Sequence, residues 1–336
     1  MKYKIKKQML FWVIIACTFS CKNNKTNLTP SISMPYEVLE RSALPEQTDP
    51  AITTQTLGNT RQFAYVPKEE SVRKNKIFIF IPGTFANPSV YKKIIQSAAK
   101  FGYYSIGVSY SNMQTIESQC NNNNSETCVS NILKEYLEGT DSSPDVSITP
   151  ANSFENRISK FILFLKNNNP NENWGQFLDN NNKIKWEMVS LAGHSQGSGH
   201  TTYISKVRSL FRAGIFSGPN GFQLSNGRFP TWFISNGLTS NDKVFAFTNR
   251  FDGLTPYTSV SAAWNGLNLI GSPLSIDGVS SFGNAHRLIT DVRIQATAGS
   301  ANPEHGSTVA DAVTPVDNRG NPTFEVVWKY MCFPDE

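Results

Sequence analysis

The sequence predicts an α/β fold, with a mostly parallel central sheet and helices on both faces. Two observations carry this. Short continuous apolar runs ended by glycine or proline recur along the chain, and stretches with helical spacing lie between them. A run that is apolar at every position suits a strand covered on both faces. Strands that alternate with helices are how a parallel sheet is wound.

The elements follow in order. Arg61 to Val66 alternates weakly, as an early strand would. Ile77-Phe78-Ile79-Phe80-Ile81 is a continuous apolar run closed by Pro82-Gly83. Val90, Ile94, Ile95, Ala98 and Ala99 place a helix over Ser89 to Phe101, and Tyr104 to Tyr110 is the next strand, completing a βαβ unit. Residues 111–151 read as an irregular insertion on the sheet's rim. Ser153 is a fitting N-cap for a helix whose face is Ile158, Phe161, Ile162 and Leu165. Residues 167–185 are Asn-rich and loop-like. Trp186 to Ala192 is a strand, Gly197 to Phe211 a helix, and Ala213 to Ser217 and Val244 to Thr248 further strands. Tyr257 to Leu269 is helical, Leu288 to Gln295 alternates as a strand, and Thr323 to Met331 forms a last helix or strand. No internal repeat and no hinge divides residues 59–336, which form one domain.

Composition removes several classes. The 336 residues are 39% hydrophobic and only 17% charged, too apolar for a disordered chain. Four of the five net positive charges are Lys2, Lys4, Lys6 and Lys7, so no basic stripe remains for nucleic acid. Those lysines precede the apolar stretch Met9 to Phe19, which is too short to span a bilayer. Residues 1–20 therefore read as an export signal. Cys21 follows Thr18-Phe19-Ser20 and precedes the polar run from Lys22, as a lipid-accepting cysteine would. Cys17, after Ile14-Ile15-Ala16, is the alternative. Residues 21–58 are then a tether, and the expected location is the bacterial cell envelope, extracytoplasmic and lipid-anchored, or else secreted. Export permits disulfides, and Cys120 and Cys128 flank a short Asn-rich loop they can close, leaving Cys332 over. No cysteine pair has metal-ligand spacing, and no nucleotide or zinc motif is present, so no metal or cofactor is expected.

Gly193-His194-Ser195-Gln196-Gly197 is the only G-x-S-x-G in the chain. It follows an apolar strand and opens a helix. A turn that tight lifts the serine above the sheet and leaves no room for a Cβ at the flanking glycines. A serine hydroxyl needs a base, and the chain has four histidines. His194 lies inside the turn and His200 in the helix, so each is read as a packed or hydrogen-bonded core residue. His305, on the loop Asn302 to Gly306 after the strand at 288–295, is the expected base. His286, just before that strand, is the alternative. Asp252, after the strand Val244–Thr248, is the expected acid, giving the chain order serine, acid, histidine. Asp242 lies before that strand and should sit at the wrong end of the sheet. The N–H of Gln196 and that of Thr84 or Phe85, after the strand at 77–81, are the expected oxyanion donors.

These motifs together resemble the α/β-hydrolase superfamily, and more narrowly a group of poorly characterised bacterial secreted or lipid-anchored hydrolase-like proteins. Ile81-Pro82-Gly83-Thr84, Gly193 through His200, Ala285-His286-Arg287-Leu288, His305-Gly306-Ser307 and Val327-Trp328-Lys329-Tyr330 carry the resemblance, over roughly residues 60–335. It implies a Ser-His-acid site and no cofactor, but not a substrate, since the fold serves many chemistries. The expected function is a serine hydrolase acting on a small-molecule or lipid carboxylic ester. A non-catalytic surface binding protein on the same scaffold, using the 111–151 insertion, is the alternative. A lipase lidded by that insertion is a third reading.

Overall fold

A computed structural model describes residues 36–53, 56–120, 124–295 and 302–335. Residues 1–20, read as an export signal, and the candidate lipid acceptors Cys17 and Cys21 lie outside the described residues. Nine strands form one sheet: β1 (Val38–Ala43), β2 (Gln62–Pro67), β3 (Ile77–Ile81), β4 (Tyr104–Gly107), β5 (Val189–His194), β6 (Arg212–Phe216), β7 (Val244–Asn249), β8 (Leu274–Ser275) and β9 (Arg287–Thr290). Their order across the sheet is β1-β2-β4-β3-β5-β6-β7-β9-β8. Only the β1–β2 and β2–β4 pairs are antiparallel.

The continuous apolar strands are explained by two cores, one on each face. In β3, Ile77, Ile79 and Ile81 face one core while Phe78 and Phe80 face the other. The first core is closed by helices Cys128–Glu138, Phe154–Asn168, Gln196–Val207 and Tyr257–Gly266. The second is closed by Lys92–Lys100 and Glu325–Cys332, with Trp328 fully buried. The two-sided period-2 pattern thus makes this an α/β architecture with a mostly parallel sheet.

Several boundaries differ from expectation. The segment read as tether over 21–58 contributes β1, which pairs with β2 from Val38–Pro67 to Ala43–Gln62. Its sequence, VLERSA, is an edge strand with charges on it, and so carries no apolar signal. The helix expected from Ser89 starts as a 3-10 turn at Pro88–Tyr91 and is α-helical only over Lys92–Lys100. The last segment is a helix, Glu325–Cys332. Within 111–151, Ile132, Leu133 and Leu137 of helix Cys128–Glu138 enter the first core, so the segment is packed rather than irregular. Cys120 and Cys128 are joined by a disulfide, and Cys332 is a buried free thiol. No helix among the described residues is long and apolar enough to cross a membrane.

Candidate active site

The carboxyl ends of β3, β5, β6 and β7 converge on a cleft of about 500 Å³. In parallel sheets this edge is where ligand sites form, because the loops leave the strands there. Ser195 sits at the turn between β5 and helix Gln196–Val207, with φ 55° and ψ −118°. That backbone is strained for a residue with a Cβ, and such strain persists only where its surroundings hold it. The holding is visible. A Cβ on Gly193 would collide with the carbonyl of Gly197, and one on Gly197 with the carbonyl of Ile81. The glycines therefore let strand, turn and helix close on one another, and the turn presents half-buried Ser195 to the cleft.

Asp252 and His305 meet at this same edge. Asp252 follows β7 and accepts at Oδ2 from His305 Nδ1 at 2.8 Å. The acceptor is a carboxylate, so Nδ1 carries a proton and is the donor. The carboxylate is held from its other side. Its Oδ1 accepts the N–H groups of Leu254 and Thr255, each at 2.9 Å, and its Oδ2 accepts the Thr255 hydroxyl at 2.6 Å. Burial pushes the Asp252 carboxyl up, but the His305 bond and charge and the Thr255 donors outweigh it, and the net shift is downward. Asp252 is thus an anion that orients the His305 ring. His305 lies in the short helix Pro303–Ser307, after β9, rather than in open loop. Among the described residues no hydrogen bond joins Ser195 Oγ to the His305 ring, although both line the same cleft.

The main chain of His305 is also fixed. Its carbonyl accepts from His194 Nε2 at 2.9 Å and from Ser217 Oγ at 2.7 Å. Tyr91 donates its hydroxyl to His194 Nδ1 at 2.9 Å, and the Gly83 N–H reaches that hydroxyl at 3.3 Å. The chain Gly83–Tyr91–His194–His305 ties the loop after β3 to the imidazole. Burial, followed by the nearness of His305, drives the His194 pKa down to about 3, so it stays neutral and serves as a fixed donor. His194 is a bonded core residue, as expected. So is His200, boxed by Tyr110, Tyr136 and Phe154 and pushed down to about 3 by burial.

The expected oxyanion donors separate. The Phe85 N–H donates to the Asn112 carbonyl at 3.0 Å, so it is spent, and the ring projects outward, 66% exposed, from a residue at φ 59°. The Thr84 N–H makes no hydrogen bond among the described residues. Gln196 opens its helix, so its N–H has no intrahelical acceptor. Thr84 Oγ1 donates to Gln196 Oε1 at 2.6 Å, which ties these two residues together across the cleft.

The alternative base, His286, lies elsewhere. It precedes β9 at the amino end of the sheet, its Nδ1 bonded to the Val244 carbonyl at 2.9 Å and its ring stacked on Phe245 at 4.1 Å. Asp242 is at that end too, as expected. Sequence reasoning missed Tyr91, Ser217 and Thr255. Only Thr255 had a local signal, the Asp-x-x-Thr spacing of a capped turn. Among the described residues no group of three or more His, Cys, Asp or Glu side chains is placed to hold a metal ion. No protein-family profile matches the chain, and no curated protein matches it in sequence.

Proposed function

We propose that this chain is a serine hydrolase of the α/β-hydrolase kind that cleaves carboxylic esters. One observation carries the reading: Ser195 sits on a strained strand-to-helix turn, in the cleft that also receives the Asp252-anchored His305 ring. That constellation has little structural use otherwise, since backbone strain costs about 1–3 kcal/mol where nothing compensates it.

In this reading Ser195 Oγ attacks the acyl carbon while His305 Nε2 takes its proton. Asp252 stabilises the imidazolium that results. The N–H groups of Gln196 and Thr84 receive the oxyanion of the tetrahedral intermediate. The imidazolium returns the proton to the departing alkoxide, leaving Ser195 acylated. A water then gives a proton to His305 as it attacks the acyl carbon, and the imidazolium returns that proton to Ser195 Oγ as the acyl bond breaks and the acid leaves. The cleft is large enough for a small ester and is lined by apolar Ile116, Phe222 and Leu254 beside the polar groups named.

A disulfide at Cys120–Cys128 fits an oxidising compartment, as does the export-like segment with Cys21 or Cys17 as lipid acceptor. We therefore place the enzyme outside the cytoplasm on a lipid anchor. A fluorophosphonate probe and short p-nitrophenyl esters test the activity. Labelling that Ser195→Ala abolishes, with ester turnover, supports the hydrolase. No label and no turnover from folded protein leaves the binding-protein reading.

A further inference from the structure

The mechanism leaves one acid in the cleft unused. Four titratable side chains line it: Tyr91, Glu117, His194 and His305. Tyr91 and His194 are tied to one another, and His305 to Asp252, so Glu117 is the only lining side chain that brings a negative charge. It lies on the short helix Ile116–Gln119, which Thr115 caps by accepting the Ser118 N–H at 3.2 Å. Cys120, in the disulfide, follows that helix directly. The segment bearing Glu117 is therefore held at both ends.

The opposite wall is shaped around this carboxyl. Gly221 stands at φ +79°, and a Cβ there would collide with the Glu117 carboxyl group. The side chain thus lies across bare backbone on the cleft wall, and the residue is exposed. Among the described residues it forms no ion pair. Its polar neighbours are its own N–H and the Thr115 hydroxyl, and burial holds the carboxyl above the ordinary carboxylate range. Phe85 and Phe222 line the same cleft. A carboxylate without a counter-ion, partly desolvated and accompanied by aromatic rings, attracts an organic cation and repels an anion.

We propose that Glu117 makes this cleft selective for esters whose alcohol or acyl part carries an ammonium group. The proposal rests on the cleft being the substrate site of a hydrolase, and it deepens that reading by naming a substrate class.

The experiment pairs two esters of one shape, butyrylcholine and 3,3-dimethylbutyl butyrate, which differ in a quaternary nitrogen against a quaternary carbon. Binding is measured by calorimetry on Ser195→Ala protein, and hydrolysis on the intact chain. The cationic ester is expected to bind about ten-fold more tightly, a preference equal to about 1.4 kcal/mol. Adding Glu117→Gln should bring the ratio to about one, and so should Gly221→Ala, which displaces the carboxyl while keeping its charge. Equal affinity for the two esters, or a preference that survives Glu117→Gln, overturns the proposal. If both bind with the predicted preference but intact protein hydrolyses neither, the hydrolase reading falls and Glu117 keeps its role. If hydrolysis proceeds with no preference, the reverse holds.

Discussion

The two ends of the sheet each hold a histidine, an acid and a cleft, yet the two histidines are bonded differently. At the carboxyl end, His305 gives Nδ1 to a buried carboxylate, and its ring lines the same cleft as the strained Ser195 turn. At the amino end, His286 gives Nδ1 to a backbone carbonyl and lies flat on Phe245, while Arg212 stacks on that same ring at 4.6 Å. Burial lowers the His286 pKa, and the positive charge of Arg212 adds to that. Asp242 is near His286, but its carboxyl answers chiefly to Ser240 and its own amide. The difference teaches that proximity of an acid and an imidazole does not make a base. Nδ1 is bonded in both rings, and the difference is its partner: a buried carboxylate for His305 and a backbone carbonyl for His286.

The sharpest way to break this comparison is to alter both ends in the same assay. Ser195→Ala should abolish fluorophosphonate labelling and lower ester turnover by about 10⁶-fold. His305→Ala should be comparably severe, because one constellation acts as a unit. His286→Ala should leave kcat/KM within about two-fold, as it touches nothing in the cleft. A large loss at His286 would reverse the assignment of the base.

Next in size is the acid. Asp252→Asn should cost about 10⁴-fold in kcat, since an amide can present its N–H to His305 Nδ1 and so impose the wrong tautomer. Asp242→Asn should be silent in the same measurement. A smaller effect, about ten-fold in kcat with KM little changed, is expected of Thr84→Val. It keeps the N–H but removes the hydroxyl that ties Thr84 to Gln196, so the donors are less well held.

Legibility in the sequence divides along physical lines. The strands β3, β5, β6 and β7 were readable because burial on both faces leaves an unbroken apolar run. The Ser195 turn was readable because its steric demand falls on residues two away, Gly193 and Gly197. Asp252 and His305 followed from chain order. The edge strand β1 was not readable, because half its face meets solvent and its pairing is set by β2. Whether Thr84 or Phe85 keeps a free N–H depends on the Asn112 carbonyl, which no local pattern announces. Glu117 is invisible for the same reason, since its placement depends on Gly221, about a hundred positions along the chain.

Two acids near the carboxyl edge of the sheet, buried Asp252 and half-buried Asp311, give the smallest expected effect and a contrast of sign. Asp252 is held below its ordinary range, so it contributes stability above the unfolded carboxylate value, lost as pH falls through its folded value. Asp311 is the opposite. Burial pushes its carboxyl up to about 6, against the weaker pull of Lys93 and Lys92. The native state then holds the proton more tightly than the unfolded chain does. Its cost is absent below the unfolded value and grows as pH rises through about 6. Asp311 also accepts the Lys93 N–H at 3.0 Å, at the start of helix Lys92–Lys100, and an amide oxygen can keep that bond. Asp311→Asn should therefore shift Tm upward relative to the native chain at pH 8 compared with pH 4, by on the order of 2 °C. Thermal unfolding of both proteins at the two values reads this directly, and a difference that does not change between them would mean that the carboxyl sits in water rather than against the helix.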